Sequence, residues 1–121
     1  MKTVLFIFLG GGLGSVLRFL VSNTTQKFWQ LNSFPMGTLV VNVSGCLLIG
    51  FLSALFLKFD NSFKYLLITG FCGGYTTFST FSAENVSLYQ QGNYGFLILY
   101  ILASIILGFW AVMIGFQLVR D

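Results

Sequence analysis

The stretch GFCGGYTTFSTF, residues 70–81, decides how this chain folds, because it places glycines and hydroxyl side chains inside an otherwise apolar segment. Each glycine weakens a helix by up to about 1 kcal/mol in a soluble host. Serine and threonine hydroxyls can bond the backbone carbonyls that a broken helix leaves free. We therefore predict a helix that is interrupted near residues 73–77. Carbonyls at such an interruption are typical of a cation site, and a helix that merely bends for packing is the alternative.

The composition of the chain predicts a membrane protein. Of its 121 residues, 56% are hydrophobic and 7% are charged, whereas soluble domains average about 25% charged residues. Four apolar segments approach the length of about 20 residues that a helix needs to cross the hydrocarbon. We expect an all-α, single transmembrane domain over residues 1–121. Its spans are residues 3–21, 36–57, 63–88, interrupted as above, and 94–119.

The distribution of basic residues predicts the orientation only weakly. With four spans, both termini share one side of the membrane with Lys2, Lys58, Lys64 and Arg120, and the other side holds Lys27. This excess favours cytoplasmic termini, and so small a bias is compatible with insertion in both directions. The first segment is interpreted as a retained helix rather than a signal peptide. The absence of a basic cluster argues against binding to nucleic acid.

Small residues elsewhere in the spans are interpreted as packing positions. The run GGGLGS, residues 10–15, resembles a phosphate-binding loop, but it has no P-loop lysine and lies within an apolar span. Small residues at such depth let helices approach closely. Cys46 and Cys72 also lie inside spans, where thiols usually pack rather than form a disulfide. The chain has no histidine, so no zinc site is expected.

Polar and aromatic residues at helical spacing are candidates for a site. Thr38 and Asn42 are four residues apart and share a helix face. Asn42 either bonds a neighbouring backbone or offers its N–H groups to an anion, and the sequence leaves both interpretations open. Phe78 and Phe81 share a face; such a pair usually packs in the core, and the positive edges of the rings can alternatively contact an anion. Glu84 either reaches water near a helix end or is a functional residue, because an acid near a membrane span is costly.

Two further features of the sequence are candidates for a site. Arg18 is either a snorkelling anchor or a positive charge that attracts anions to a vestibule. Tyr100, Ser104 and Gly108 are spaced by four residues and form one stripe on the last span.

Three motifs together resemble a known family. GGGLGSVLRF, GTLVVNVSG and GFCGGYTTFSTFS occur in the order and spacing found in the small fluoride channels of the Fluc or CrcB family. The resemblance implies a multi-pass protein of the bacterial inner membrane. It also implies an antiparallel, dual-topology homodimer of four-helix subunits with two fluoride pores, surrounded by membrane lipid. Some members of this family work only as paired homologues.

The resemblance assigns roles to individual residues. The implied fluoride pore comprises Asn42, Phe78, Phe81, Thr38, Tyr100, Ser104, Ser79 and Thr80. Arg18 matches the vestibule arginine and Glu84 matches the acid of the third helix. The backbone carbonyls of Gly73 and Thr76 from both subunits would hold a structural Na⁺ at the dimer interface. Gly108 departs from the family, in which this position often carries a hydroxyl.

The expected function is therefore passive export of fluoride through a selective channel, and no enzymatic activity is expected. Fluoride is small and strongly hydrated, so conduction needs many modest donors rather than one strong positive site. The sequence leaves two alternative functions open. One is a proton-coupled, small four-helix exporter of toxic cations, although the first span carries no acid. The other is a membrane assembly subunit that transports nothing.

Overall fold

The computed structural model describes residues 1–28, 34–59 and 61–120, and these residues are almost entirely helical. The helices in chain order are α1 (Lys2–Phe28), α2 (Met36–Lys58), a π-helix (Tyr65–Cys72), α3 (Gly73–Tyr75), α4 (Phe78–Gln90) and α5 (Tyr94–Arg120). Helix α1 continues past the predicted span of 3–21, because polar residues such as Asn23 and Gln26 extend the helix beyond its apolar part. Residues 29–33 of the predicted first connection lie outside the described residues.

Three of these helices are long and apolar enough to cross a membrane. They are Lys2–Phe28, Met36–Lys58 and Tyr94–Val119. Large apolar side chains on their outer faces are exposed; Phe8, for example, is 76% exposed, and Leu13 is 64% exposed. A water-soluble monomer rarely exposes so much contiguous apolar surface. The described chain is therefore an all-helical, multi-pass membrane protein.

The predicted third span consists of two short helical pieces with an extended link between them. The backbone leaves the helical region at Thr76 (φ −83°, ψ 156°) and Thr77 (φ −149°, ψ 122°). The interruption thus lies within the predicted window of 73–77. The piece before it is mostly π-helical, a form that is rare and often found at functional sites.

Close glycine contacts fix the π-helix and α3 against α1. A Cβ atom on Gly10 would collide with the carbonyl oxygen of Leu66, and one on Gly14 would collide with that of Phe71. On the opposing side, Gly74 has no room for a side chain against the Gly11 backbone. Small residues of this kind bring helix backbones into direct contact. The packing interpretation of the glycine-rich run is confirmed, and the run positions the piece that precedes the break.

Helices α2 and α5 form the second close pair. A Cβ on Gly50 would meet the Val112 backbone, and one on Gly115 would meet the Leu47 backbone. Next to this pair, a cluster of buried side chains joins the start of α2 to α4 and α5. It consists of Phe34, Leu39, Leu88 and Tyr100, with Phe81 and Phe96 among the residues packed around it. The two tight pairs therefore bring the interrupted segment against α2 and α5.

Substituting Gly10 with alanine should destabilise the protein by about 1–3 kcal/mol, since the added methyl group overpacks a backbone contact. Gly12→Ala is the matched control, because a Cβ at Gly12 meets nothing within 4 Å. The measurement is the free energy of unfolding in mixed micelles titrated with denaturing detergent. Equal stability of the two variants would contradict the close contact.

Candidate functional site

The side chain of Asn42 on α2 holds the interruption from one side. Its Nδ2 donates to the carbonyl oxygen of Thr77 at 3.2 Å, and its Oδ1 accepts from the Thr77 N–H at 3.0 Å. One carboxamide therefore satisfies both backbone groups of a residue that has left the helix. A carboxamide carries two N–H donors, so one Asn42 N–H remains after this pairing. The interpretation that Asn42 bonds a neighbouring backbone is confirmed. This bonding leaves one N–H donor of the side chain unused.

Hydroxyl groups satisfy the helix ends on each side of the interruption. The Thr76 Oγ1 and N–H both donate to the Cys72 carbonyl, at 2.9 and 3.0 Å. The Thr77 Oγ1 accepts from the Thr80 N–H at 3.2 Å and so caps the start of α4. Threonine is a favoured residue at such an N-terminal cap. The sequence feature that predicted a break is thus also what stabilises its two ends.

The interruption leaves a backbone carbonyl without its helical donor. In a continuous helix the Thr77 N–H would donate to Gly73, but here it donates to Asn42. Gly73 is exposed, and nothing lies within 4 Å of the position that its Cβ would occupy. The next carbonyl, that of Gly74, accepts from Arg18 Nε at 3.1 Å. Arg18 therefore lies beside the interruption, and its match to the vestibule arginine of the family stays a prediction.

A cleft of about 340 Å³ lies between the interruption, α2 and α5. Its lining comprises Asn42, Gly45, Cys46, Ile49, Thr76, Thr77, Phe78, Phe81, Ser104 and Ile105. The ring centroids of Phe78 and Phe81 lie 5.9 Å apart. The Ser104 Oγ is buried and has no hydrogen-bond partner among the described residues. Since a buried hydroxyl without a partner is costly, this oxygen marks a position where a polar group would be stabilised.

A second group of polar atoms surrounds the carboxylate of Glu84. The Thr38 Oγ1 donates to one carboxylate oxygen and the Tyr100 hydroxyl donates to the other, each at 2.9 Å. Tyr100 is fully buried, and its ring lies 5.0 Å from the ring of Phe81. Phe81 lines the cleft, so this ring contact connects the Glu84 group to the cleft.

Glu84 also faces a polar cavity of about 370 Å³ at the beginning of α2. The lining residues are Ser22, Asn23, Gln26, Pro35, Glu84, Ser87, Leu88 and Gln91. Pro35, the residue before α2, lines this cavity, and Asn42, two turns further on, lines the apolar-walled cleft. Thr38 lies between them in the sequence, so the start of α2 extends from the polar cavity to the cleft.

The structure brings most of the predicted pore residues into these two places and leaves others outside them. Asn42, Phe78, Phe81 and Ser104 line the cleft, and Thr38 and Tyr100 contact Glu84. Ser79 and Thr80 line neither cavity; the Ser79 hydroxyl is 3.3 Å from the Thr77 Oγ1. Gly108 faces α2, where its Cβ would lie 3.4 Å from the Cys46 sulfur. Both cysteines are free, which confirms that they form no disulfide.

Sequence reasoning missed several residues of the site, among them Cys46 and Gln26. Cys46 lines the cleft, and its position four residues after Asn42 was an available signal, since residues at this spacing share a helix face. Gln26 lies in a polar run near the end of α1, and no pattern in the sequence connected it to α2. Within the described ranges, no group of three histidine, cysteine, aspartate or glutamate residues could hold a metal ion.

These features define a class: a helical membrane protein with an interrupted span and a cleft lined by weak donors and phenyl rings. Residues 5–116 match the family model described as CrcB-like protein, Camphor Resistance (CrcB). The match covers most of the chain, and the protein belongs to the CrcB family.

Several relatives are similar over nearly their whole length. A protein of Azobacteroides pseudotrichonymphae named fluoride-specific ion channel FluC is 50% identical over 98% of this chain and 96% of its own. The protein of the same name from Flavobacterium psychrophilum is 46% identical over 100% of this chain and 99% of its own. A third, from Phocaeicola vulgatus, is 45% identical over 95% and 96%. The family consists of ion channels rather than enzymes, and this chain is a multi-pass protein of the bacterial membrane.

Replacing Asn42 with alanine should lower the free energy of unfolding by about 1–3 kcal/mol, because both backbone groups of Thr77 then lose their partner. Ser79→Ala is the control, since it removes an exposed hydroxyl that contacts only another hydroxyl. Thermal unfolding in detergent is the measurement. A variant as stable as the control would mean that the interruption does not depend on this carboxamide.

Proposed function

We propose that this chain forms a fluoride-selective channel that lets fluoride leave the cell passively across the inner membrane. The observation that carries the proposal is the cleft in which the unpartnered hydroxyl of Ser104 lies with Asn42 and the rings of Phe78 and Phe81. Relatives up to 50% identical are named fluoride-specific ion channels, which supports the choice of ion. Four spans are proposed for each subunit, with the π-helix, α3 and α4 together forming the interrupted one.

The chemistry of the cleft suits a small, strongly hydrated anion. The Ser104 hydroxyl and the second N–H of Asn42 can each donate a hydrogen bond, and phenyl edges add weak positive potential. None of these groups carries a full charge, so an anion is stabilised without being trapped. The exposed face of Phe78, which is 79% exposed in the isolated subunit, is proposed to contribute to the pore of the dimer.

The group around Glu84 sets a condition on the path. Thr38 and Tyr100 both donate to the carboxylate, so these donors reach a passing anion only when Glu84 releases them. The polar cavity beyond Glu84 is proposed as the place where the ion begins to exchange water for protein groups. Ser79 and Thr80 line neither cavity, and we propose that their part is to stabilise the start of α4 through their contacts with Thr77.

The dimer and its orientation are part of the same proposal. We infer an antiparallel homodimer with two pores, because the ring of Phe78, which lines the cleft, is 79% exposed in one subunit. The excess of basic residues on one side of the membrane is small and is compatible with both insertion directions.

Purified protein in liposomes should support electrogenic fluoride efflux and exclude chloride. Phe81→Ile should slow this efflux about threefold to tenfold, the effect of losing a ring-edge interaction of about 0.5–1.5 kcal/mol. Fluoride and chloride electrodes measure both rates after a potassium ionophore is added. Phe8→Ile, a change on the exposed face of α1, is the matched control.

The same assay separates the alternatives. No fluoride efflux from folded wild-type dimer in several lipid compositions would overturn the channel. Binding of cationic drugs that depended on Glu84 would then favour the proton-coupled exporter. Cells that lack the chain, and that regain fluoride resistance from this chain alone, would exclude both an assembly subunit and an obligatory paired homologue.

A structural Na⁺ at the dimer interface fits the residues at the interruption. The Gly73 carbonyl lacks its helical donor, and Gly73 lies at the exposed surface of the subunit. Hard cations prefer oxygen ligands such as backbone carbonyls. Gly73 and Thr76 of each subunit would supply these oxygens. The ion would contribute a fixed positive charge where the protein offers none of its own except Arg18.

Sodium should therefore stabilise the dimer. At a sodium concentration 100 times the dissociation constant, the expected stabilisation is about 2.7 kcal/mol. Thermal unfolding of the dimer in sodium chloride and in choline chloride at equal ionic strength measures the difference. An identical unfolding temperature in the two salts would remove sodium from the proposal and leave the fluoride path intact.

A further inference from the structure

Gln26 contacts the beginning of α2 with both ends of its carboxamide. Its Nε2 donates to the Phe34 carbonyl at 3.2 Å, and its Oε1 accepts from the Gly37 N–H at 3.0 Å. Gly37 packs against the Ser22 backbone, where a Cβ would collide, and Ser22 precedes Gln26 by one turn of α1. The side chain faces the polar cavity, but its oxygen and one of its N–H groups are engaged. It is therefore oriented as a bridge between helices.

The hydrogen bond to Gly37 affects the position of Thr38. The first N–H groups of a helix have no partner within it, and Pro35, the residue before α2, provides no side-chain cap. Gln26 supplies the missing acceptor from another helix by bonding the Gly37 N–H. Thr38 follows Gly37 directly, and its hydroxyl donates to Glu84 at 2.9 Å. The position of the first turn of α2 thus determines where this donor lies.

The hydrogen bond to Phe34 affects the position of Tyr100. Gln26 Nε2 binds the carbonyl of Phe34, whose ring meets the Tyr100 ring edge-on, with 5.6 Å between the ring centroids and 75° between the planes. Tyr100 is fully buried, and its hydroxyl donates to the other oxygen of Glu84 at 2.9 Å. The two bonds of Gln26 therefore reach the two donors of one carboxylate by separate routes.

We propose that Gln26 is a positioning residue that sets the hydrogen bonds of Thr38 and Tyr100 to Glu84 without contacting the ion. The inference rests on the proposed function only in taking this group as part of the fluoride path. Its structural content, the dependence of the Glu84 environment on Gln26, is independent of what the protein conducts.

The test replaces Gln26 with methionine, which keeps the length of the side chain and removes both hydrogen bonds. Gln90→Met is the matched control, because Gln90 is exposed and lines neither cavity. Glu84 is the only glutamate in the sequence, so glutamate labelled with ¹³C at the side-chain carboxyl gives one assignable carboxylate signal. The full-length dimer in lipid is examined by infrared or solid-state NMR spectroscopy, and fluoride efflux is measured on the same preparations.

The expected result is a shifted Glu84 signal and an efflux rate lowered about threefold to tenfold in Gln26→Met, the effect of losing one to two hydrogen bonds. Gln90→Met should match wild type in both measurements. Adding Tyr100→Phe to Gln26→Met should lower the rate less than the product of the single effects, because both changes act on the same carboxylate. Independent, multiplicative effects would indicate general loosening and overturn the proposal.

A Glu84 signal unchanged in Gln26→Met would also overturn it, whatever the efflux rate. If wild-type protein conducts no fluoride, the proposed function fails, and the carboxylate signal still decides whether Gln26 positions Glu84. Should Gln26→Met not fold, Gln26→Leu removes the same two hydrogen bonds and adds no second glutamate to the labelled protein. That variant should also shift the Glu84 signal, and an unshifted signal contradicts the proposal.

Discussion

The structure depends on the pair of hydrogen bonds between the Asn42 carboxamide and the backbone of Thr77. In the hydrocarbon of a membrane, an extended residue has no water to satisfy its N–H and carbonyl groups, so a break in a helix is tolerated only where protein provides partners. One side chain provides both. By taking the Thr77 N–H, Asn42 also prevents the helix from closing again and leaves the Gly73 carbonyl without its usual donor. This one contact therefore stabilises the break and accounts for the Gly73 carbonyl that has no helical donor.

The other elements place Asn42 and Thr77 opposite each other. Glycines on α1 and on the interrupted segment bring those two backbones together, and glycines on α2 and α5 do the same for the second pair. Gly45, three residues after Asn42, lets the side chains of Thr76 and Tyr75 approach α2. Helix α2 thus carries both packing residues and polar residues. Its small residues determine how closely the interrupted segment approaches α2. Its polar residues provide hydrogen-bonding groups beside the interruption and the cavity.

The sequence predicted the membrane class and the interruption, because each has a local cause, and the family resemblance named four residues that line the cleft, Asn42, Phe78, Phe81 and Ser104. Glycines followed by threonines weaken a helix wherever they occur, and Asn42 must find a partner at membrane depth. The route from Gln26 to Glu84 was not predictable, since it joins residues from α1, α2, α4 and α5 through contacts that only the folded chain creates. Arg18 was assigned by motif alone, and its bond to the Gly74 carbonyl depends on the close approach of α1. Helix α1 extends beyond the predicted apolar span because hydropathy reports the apolar part of a helix rather than its end.

The π-helix has a consequence for how this protein tolerates change in length. Its hydrogen bonds join residues five apart, so each turn holds more chain than an α-helical turn. Deleting a single residue between Tyr65 and Cys72 would let the segment rewind as an ordinary α-helix. Gly70 and Gly74 would then rotate away from α1, and bulkier neighbours would take their places at the contact. For this segment, the number of residues should therefore matter more for folding than the identity of most of them. Most point substitutions should be tolerated, whereas insertions and deletions should not.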